Sequence, residues 1–556
     1  MKKYILPGII TALLGAVYFY AALPAVNLRS ADFWSFIAFL LIVYFVAHLV
    51  MRFGMAVLAQ KTRERDFHLP SGKPNRRVFK ILAVVVAVVA VGALAVAISS
   101  VRLFNASRYQ QMVSVADRAF EEDIAEVSFS QIPVVDKSTA QRLGSRKIGE
   151  VVELVSQFDV SDMYTQINYN GTPVRISPLQ YNNFIKWFVN REEGIPYYVY
   201  IDMATQETQL VKLEEGMKYS PSECFGRDLL RHARFRYPTK MFDEVSFEID
   251  DTGRPYWIIS TYTYTIGVLG GRDIDGIIMV DAVSGETRFY PVAEVPTWVD
   301  QVYPADLVLE QVDYWGRFTK GYWNSVFTQS GVIETTDGYN YIANDDDVWL
   351  FTGLTSVVSD ESNIGFILVN MRTKECRRYT VNGAEEYSAM SSAEGKVQEK
   401  GYVATFPILL NIDDQPTYFI SLKDNAGLVK AYAFVSVSSY QNVAVGDTIE
   451  EAQTQYIQML GAGSAEKTPT VLTQVSGRIE RIEAAVREGN SYYYIRLEGV
   501  DRVYIAPITA GEMLPLLRTG DEIILSVAED GGATVRVQTV SAAGTNAGDK
   551  AASSAE

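Results

Sequence analysis

The segment Met279-Val-Asp-Ala-Val-Ser-Gly-Glu-Thr287 is the most informative stretch of this chain, because two close copies of it occur elsewhere. The copies are Tyr200-Ile-Asp-Met-Ala-Thr-Gln-Glu-Thr208 and Leu368-Val-Asn-Met-Arg-Thr-Lys-Glu-Cys376. An Asx side chain followed by a hydroxyl residue is typical of a tight turn between two strands. The three segments lie 79 and 89 residues apart, which is the spacing of domains rather than of solenoid repeats. The pattern predicts similar hairpins in successive modules.

Six residues occupy matching positions of these three turns, and we interpret them as structural. The first position is an Asx residue whose side chain can accept hydrogen bonds from the turn backbone. A glutamate stands five residues later in each copy. The six are Asp202, Asp281, Asn370, Glu207, Glu286 and Glu375.

A second internal match gives the modules a family resemblance. Phe247-Glu-Ile-Asp-Asp-Thr-Gly-Arg-Pro-Tyr-Trp-Ile258 is similar to Leu410-Asn-Ile-Asp-Asp-Gln-Pro-Thr-Tyr-Phe-Ile420, and a helical pattern precedes each segment. A helix, two strands joined at a polar turn, and a strand ending in Val-Asp-x-x-Ser-Gly-Glu resemble the PepSY domain. The resemblance covers residues 223–292 and, more weakly, residues 384–445. It implies an extracytoplasmic module that binds or inhibits partners, and it supplies no catalytic residues.

The charge of the chain is divided unevenly along its length. The formal net charge is −16, yet the first hundred residues carry 11 basic and three acidic side chains, or +8. The remainder therefore carries −24. Three apolar runs lie in the basic part, at residues 4–23, 33–51 and 78–98. Each is about 20 residues long, enough to cross a hydrocarbon core of about 30 Å, so the sequence predicts three transmembrane helices.

The distribution of Lys and Arg predicts how these helices are oriented. Seven basic residues lie in residues 61–80, and Lys2 and Lys3 precede the first run. Cytoplasmic loops hold the excess of basic residues. We therefore expect a multi-pass protein of the cell membrane with a cytoplasmic N-terminus and a large extracytoplasmic part after residue 100. A cleavable signal peptide is the alternative for the first run, and cleavage would leave the outer location unchanged.

The remaining chain is rich in Tyr, Val, Ile and Thr between short helical patterns, which indicates an α+β class with antiparallel hairpins. Its last part has five strand patterns with a short helix between the third and fourth, as in an OB-like small β-barrel. The predicted domains are a membrane anchor (1–100), a helical stalk (101–155), a first α+β module (156–222), a PepSY-like module (223–300), a third α+β module (301–383), a second PepSY-like module (384–460), a linker (461–470), the OB-like barrel (471–540) and a disordered tail (541–556).

Few residues in the chain suggest chemistry. The acidic balance argues against nucleic-acid binding, and three His and two Cys argue against a metal centre or haem. No Gly-x-Ser-x-Gly, His-Glu-x-x-His or Walker motif occurs, so we expect no cofactor and no catalytic site, although enzymatic activity stays open. Arg227, Arg231 and Arg234 share one helix face and could bind an anion or a partner. Their alternative role is pairing with nearby carboxylates.

These observations predict a membrane-anchored extracytoplasmic binding or scaffold protein of the bacterial envelope. Its expected partners are the lipid bilayer and an envelope protein or cell-wall component. The alternative is a cell-wall or carbohydrate-active hydrolase that uses two carboxylates drawn from Asp250, Asp251 and Glu286, which would have to lie about 5–10 Å apart in a cleft. Cys224 and Cys376 could form a disulfide or remain free thiols, and His232 is interpreted as a surface residue of its helix.

Overall fold

The computed structural model describes residues 2–61, 91–92, 94–124, 132–344, 347–357, 359–381, 383–460, 472–487, 490–500, 502–511, 513–528 and 534–542. The chain divides into two compact units, Met1–Leu460 and Gly461–Glu556. Two apolar helices begin the first unit, and mixed helices and antiparallel sheets follow them. The α+β class expected from the sequence is therefore confirmed.

The two N-terminal helices are α1 (Lys2–Ala22) and α2 (Ala31–Lys61). Within them, Ile5–Ala22 and Ala31–Met51 are long and apolar enough to cross a membrane. The helices pack closely at Gly15, where the Leu40 side chain occupies the space that a Cβ atom would need. Most of the third predicted span, 78–98, and almost all of the basic loop, 61–80, lie outside the described residues, whereas residues 94–100 are helical.

Residues 101–155, which the sequence predicts as a helical stalk, contain short helices that are interrupted by extended segments. Apolar side chains along this segment, such as Val113, Phe120 and Ile132, are buried in the body, so the chain bends repeatedly to deliver them. The parallel pairing of one strand with Cys376–Tyr379 fixes the segment to the edge of a sheet. The elements are α3 (Arg102–Gln110), β1 (Val115–Arg118), α4 (Phe120–Asp123), α5 (Lys137–Gly149) and α6 (Val152–Val155).

Four sheets follow, and a helix leads into each of them. Their described strands pair antiparallel, except for β1 with Cys376–Tyr379. The first sheet follows α5, and the second follows a short arginine-rich helix. The first contains β2 (Phe158–Val160), β3 (Thr165–Tyr169), β4 (Thr172–Tyr181), β5 (Ile195–Asp202) and β6 (Thr208–Met217), with α7 (Phe184–Asn190) inserted after β4. The second contains α8 (Leu229–Arg236), β7 (Met241–Ile249), β8 (Pro255–Ile266), β9 (Gly270–Asp281) and β10 (Thr287–Pro291).

The third and fourth sheets repeat this order. The third contains α9 (Ala305–Phe318), β11 (Ile333–Thr335), β12 (Asn340–Asn344), β13 (Asp347–Ser356), β14 (Ser359–Asn370), β15 (Cys376–Tyr379) and β16 (Gly383–Ala384). The fourth contains α10 (Glu386–Lys396), β17 (Val403–Ala404), β18 (Ile408–Ile412), β19 (Gln415–Lys423), β20 (Val429–Ser436) and β21 (Val443–Gly446), and α11 (Ile449–Leu460) closes the unit.

The four sheets pack around a shared centre. One hydrophobic core joins the first, second and fourth sheets, a second core joins the second and third, and another joins the third and fourth. Strand β3 contacts both β7 and β12, and β12 contacts β18. These four strands, each at the edge of its own sheet, therefore meet, and we call them the inner strands. Residues far apart in sequence come together there.

The second unit is a small all-β domain with five strands. In its described residues the strands β22 (Leu472–Arg487), β23 (Asn490–Leu497), β24 (Val503–Pro507), β26 (Thr534–Ala542) and β25 (Glu522–Ala528) pair in this order, and β25 pairs again with β22, which closes a barrel. Single 3₁₀ turns, Ile508–Ala510 and Leu514–Leu516, stand where the sequence predicted one short helix. An OB-like identity stays a prediction.

Candidate functional site

The arginine-rich helix α8 lies against the end of the first apolar helix. Arg231 Nε donates a hydrogen bond to the carbonyl oxygen of Tyr20 at 3.2 Å, and its guanidinium carbon lies 4.3 Å from the centre of the Tyr20 ring. Arg234 Nε donates to the carbonyl oxygen of Leu23 at 3.0 Å. The last carbonyls of a helix lack intrahelical partners and carry partial negative charge, so both cations stabilise the end of α1.

Arg227 also donates to a backbone carbonyl, that of Arg191. Asp228, which caps α8, forms a salt bridge with Arg231, with its Oδ1 3.7 Å from Nη1. The three arginines that the sequence offered as an anion or partner site thus donate to main-chain oxygens. A role toward an external anion stays a prediction.

The connection between α1 and α2 is fixed to the second sheet. The backbone amide of Val26 donates to the carbonyl of Pro238 at 2.7 Å, and Asn27 Nδ2 donates to the carbonyl of Thr239 at 3.0 Å. Arg29 Nη1 reaches the carbonyl of Tyr264 at 2.8 Å. The start of α2 therefore lies beside the end of β8.

The tip of the β8–β9 hairpin contacts the end of the helical residues 94–100. The backbone amides of Val268 and Leu269 donate to Ser100 Oγ at 3.2 and 3.0 Å. Tyr109 donates its hydroxyl proton to the carbonyl of Ser100 at 2.8 Å. The second sheet thus holds the ends of three helical segments from the N-terminal region.

The three repeated turns have the same hydrogen-bond pattern. Asp281 Oδ1 accepts from the amides of Val283 and Ser284 at 2.9 and 2.8 Å, and its own amide donates to the carbonyl of Glu286 at 2.9 Å. Asp202 and Asn370 accept equivalent bonds in the other copies. The fifth residue of each turn has positive φ, at Gln206, Gly285 and Lys374. The glutamates Glu207, Glu286 and Glu375 are exposed.

The fourth sheet contains a related turn that the sequence comparison missed. Between β20 and β21, Ser436 Oγ accepts from the amide of Ser439 at 3.2 Å, and the amide of Ser436 donates to the carbonyl of Asn442 at 3.1 Å. A hydroxyl replaces the carboxylate, and the turn is one residue longer. Those two changes remove the motif from the sequence but leave its two main contacts.

The carboxylates proposed for hydrolysis lie on turns rather than in a cleft. Asp251 and Glu286 are exposed. Asp250 Oδ1 accepts hydrogen bonds from the amides of Thr252 and Arg254 within its own turn, at 2.9 and 3.0 Å. These three residues do not form the paired arrangement that the hydrolase alternative requires.

His232 is buried, so its interpretation as a surface residue is wrong. Its Nε2 lies 2.8 Å from the carbonyl oxygen of Gly285 in the repeated turn, and its ring packs on Tyr219. Burial lowers the pKa of His232. Both cysteines are free thiols, and Cys376 is fully buried.

A cavity of about 650 Å³ lies where the inner strands of the sheets meet. Its size is typical of small-molecule sites. Every sheet contributes to its wall, together with the start of α5. The aromatic lining residues are Tyr164, Tyr303, Tyr339, Tyr341 and Phe406, and the charged ones are Asp136, Lys137, Asp162, Arg175 and Glu244.

Arg175 is the most deeply placed cation of this cavity, with 6% of its surface exposed. Its Nε donates to the carbonyl of Val135 at 3.2 Å, and its Nη2 donates to Gln166 Oε1 at 3.1 Å. No carboxylate of the described residues lies within salt-bridge distance of it. Burial lowers the pKa of Arg175, because desolvation disfavours the charged form.

The three carboxylates of the cavity wall differ in their partners. Asp136 caps α5 through the amide of Thr139 and forms a 2.7 Å salt bridge with Lys423, which lowers its pKa despite burial. Asp162 and Glu244 are exposed and form no salt bridge within the described parts of the chain. The cavity therefore combines one buried cation with two accessible carboxylates.

A second pair of acids lies buried behind the cavity and was not recognised in the sequence. Glu248 accepts from the amides of Asp300 and Gln301 at 2.8 and 3.1 Å, and Asp300 accepts from the amide of Asn168 at 2.7 Å. Burial raises the pKa of Glu248 to about 7 and that of Asp300 well above its ordinary range. These acids join the first, second and third sheets, and only the folded arrangement reveals them.

Comparisons with known proteins give no family. No protein-family model matches the chain, and no curated protein matches it. Among solved structures, a levansucrase complexed with sucrose aligns at 9% identity over 76% of this chain and 95% of its own, with a TM-score of 0.17. A B. megaterium levansucrase aligns at 10% identity over 75% and 93%, with a TM-score of 0.18. Superpositions this poor carry no inference about fold, substrate or activity.

Proposed function

We propose that this protein is a membrane-anchored extracytoplasmic binding protein of the bacterial envelope. The observation that carries the proposal is the attachment of α1 to the body through Arg231 and Arg234. A signal peptide that is cleaved would not require specific contacts with the mature domain. A retained anchor that is hydrogen-bonded to its domain holds that domain at the membrane surface.

The positions of the helix ends support three spans. The end of α1, the start of α2 and the end of the helical residues 94–100 all contact the second sheet, through α8, Tyr264 and Leu269 respectively. Three segments that run up, down and up through a bilayer would emerge at one face in this way. The concentration of basic residues in 61–80 supports a cytoplasmic N-terminus.

Exposed apolar side chains lie beside these helix ends, which supports contact with lipid. Phe235 is 55% exposed although its ring packs 5.8 Å from that of Phe19 in α1. Leu269 at the hairpin tip is 47% exposed, and Phe104 just after residues 94–100 is 69% exposed. Apolar surface at this level would be covered by the headgroup region of the outer leaflet.

The binding role rests on the central cavity and on the repeated modules. The modules are PepSY-like and the terminal barrel is OB-like in this proposal, and the expected partner is an envelope protein or a cell-wall component rather than nucleic acid. The −24 charge of the region after residue 100 supports the exclusion of nucleic acid.

Cysteine labelling of intact cells tests the topology. In a Cys224→Ser background, Ser464→Cys should react with a membrane-impermeant maleimide, whereas Ser71→Cys should react only with a permeant one. The buried Cys376 should remain silent in both. Labelling of Ser71→Cys alone by the impermeant reagent would refute the proposed orientation.

Crosslinking in cells tests the binding role. A photoreactive residue in place of Tyr387, which is 44% exposed on α10, should yield adducts with envelope proteins or wall glycans. A matched photoreactive residue at Ser71 should yield none of these. Adducts with cytoplasmic proteins from position 387 would contradict the proposal.

A further inference from the structure

The central cavity has a charge pattern that is incomplete without a ligand. Arg175 keeps two polar contacts, Val135 and Gln166, but Nη1 has no hydrogen-bond partner among the described residues. The carboxylate whose charge acts on Arg175 is that of Asp136, which is already paired with Lys423 at 2.7 Å. A buried cation that only shares a counter-charge in this way is costly. An apolar residue at this position would avoid the cost of burying the charge. The presence of a guanidinium there therefore points to an anionic group that enters the cavity.

The rim of the same cavity carries the opposite charge. Asp162 and Glu244 line it and are exposed, and neither has a salt-bridge partner in the part of the chain that the structure describes. Lys137 also stands at the rim, and the Lys423–Asp136 pair is internally neutral. Lys137, whose charge acts on Glu244, offsets only part of the charge of the two carboxylates, so a purely anionic ligand would meet a rim of net negative charge on its way to Arg175.

Aromatic residues form another part of the cavity wall. Tyr341 and Tyr339 pack edge to face with their ring centres 5.5 Å apart. Phe406, in the connection between β17 and β18, lies beside them, and its carbonyl accepts a hydrogen bond from Asn340 Nδ2 at 3.1 Å. Gln166 Nε2 donates to the carbonyl of Tyr341 at 3.3 Å, which joins the first sheet to the third at this wall. The cavity thus offers a buried cation, an aromatic wall and exposed carboxylates.

We infer that the cavity binds a small zwitterion, an amino acid or a short peptide, with its carboxylate on Arg175 and its ammonium group on the carboxylates of the rim, Asp162 and Glu244. This inference deepens the proposed binding function by naming a ligand class. A volume of about 650 Å³ accommodates a molecule of that size.

The test is calorimetric titration of the full chain in detergent micelles with three probes: trialanine, its C-terminal amide and its N-acetyl form. Trialanine should bind, and each capped form should bind about tenfold or more weakly, the loss expected when about 1.4 kcal/mol of interaction is removed. Equal binding of the amide and the free acid would overturn the inference. So would equal binding of acetate, or the absence of binding by trialanine to folded protein.

Variants assign the two charges to their residues. Arg175→Gln should remove the difference between the free acid and the amide, and Asp162→Asn combined with Glu244→Gln should remove the difference between the free amine and the N-acetyl form. The rim substitutions lie at exposed positions, so we expect those variants to fold. They still test the ammonium site if Arg175→Gln fails to fold. Asp251→Asn, an exposed carboxylate on the β7–β8 turn, is the matched control and should bind all probes as the native chain does.

The outcome is separable from that of the topology experiment. A failure of trialanine to bind would leave the maleimide pattern, and thus the membrane anchoring, untouched. A reversed maleimide pattern would leave probe binding by the purified chain intact.

Discussion

Among the residues that contact α1, Arg234 is the one whose substitution we expect to weaken the attachment of α1 to the body most. It is 5% exposed, donates to the carbonyls of Leu23 and Lys240, and lies over the ring of Phe242. Hydrogen bonds from charged groups contribute about 1.5–3 kcal/mol each. We therefore expect Arg234→Ala to lower the free energy of unfolding by about 2–4 kcal/mol, as measured by urea titration in detergent micelles.

The control for this substitution is Lys212→Ala, an exposed position on β6, which should change stability by no more than about 0.5 kcal/mol. Equal stability of the two variants would show that the contacts of Arg234 with α1 and β7 contribute nothing. A further readout is proteolysis of the 23–30 connection, which should become faster only in Arg234→Ala.

Glu386 should make the stability of the first unit depend on pH. It is fully buried at the start of α10, and burial raises its pKa from 4.5 to about 7. The folded state therefore holds its proton more tightly than the unfolded state does. Its contribution is fully present below pH 4.5 and is lost as pH rises through about 7, because stability falls wherever the folded state binds more protons.

The variant Glu386→Gln removes this titration. Stability measured from pH 5 to pH 8 should fall less in Glu386→Gln than in the native chain, by roughly 2–3 kcal/mol over that interval. Glu399→Gln, a change at an exposed position beyond the same helix, should keep the native slope. An unchanged slope in Glu386→Gln would contradict the raised pKa.

The sequence revealed some of these residues but not others. The turn residues Asp202 and Asp281 were recognisable because an Asx turn is a local structure that a few neighbouring residues specify. Arg175 and Glu386 were not, since their importance comes from burial and from partners far away in the chain. Arg231 and Arg234 were noticed for their spacing, but the helix end that accepts their hydrogen bonds lies about 200 residues earlier.

At the scale of elements, the repeated turn should tolerate substitution only where space is available. Gly285 has φ of +74°, and a Cβ atom there would lie 2.3 Å from the ring of Tyr219. Gly171 has φ of +78° in the β3–β4 turn, with nothing within 4 Å of a Cβ atom. Both positions strain an L-residue, but only the first also forces a clash.

We therefore expect Gly171→Ala to destabilise the protein by about 1 kcal/mol through backbone strain alone. Gly285→Ala should cost about 1–3 kcal/mol more, because Tyr219 must move within a packed region. Thermal unfolding of the two variants measures the difference. Similar melting temperatures would mean that the packing of Tyr219 on the turn is loose.

The elements themselves were predicted unevenly, for physical reasons. The helix-then-hairpin order of residues 223–292 was visible because strand alternation and turn chemistry are local. The sequence of residues 101–155 predicts a helical stalk, since its charged residues mask apolar side chains such as Val113 and Phe120 that are buried against distant strands. The fourth turn escaped because Ser436 can replace a carboxylate as an acceptor without resembling it in sequence.

For the whole molecule, the sequence predicts the features that depend on local composition, such as the apolar segments. It does not predict that the four sheets meet around a cavity. Apolar runs and basic loops identify membrane segments through their own composition. The cavity depends on Asp136, Arg175, Glu244, Tyr341 and Phe406, which lie on four different sheets and one helix start. No local sequence pattern predicts this cavity, because the cavity forms only when the modules pack against one another.

The placement of the helix ends gives a prediction about the orientation of the entire body. Leu269 lies at one end of β8 and Asp251 at the turn beyond its other end, and the 12 residues of that strand span roughly 40 Å at about 3.3 Å per residue. If the hairpin tip rests on the bilayer, Leu269→Trp places an indole at the lipid surface and Asp251→Trp places one in water. The chain has seven tryptophans, and Trp34 on α2 is exposed, so the unsubstituted protein in each lipid supplies the background that is subtracted.

The measurement compares the two variants in nanodiscs made with ordinary lipids and with lipids brominated on the acyl chains. The additional fluorescence of Leu269→Trp should be quenched by the brominated lipid, whereas that of Asp251→Trp should be unaffected, because bromine quenches indole only at short range. Quenching of both would mean that the body lies on its side. Quenching of Asp251→Trp alone would place the repeated turns at the membrane and would contradict the orientation inferred from Arg29, Ser100 and Arg234.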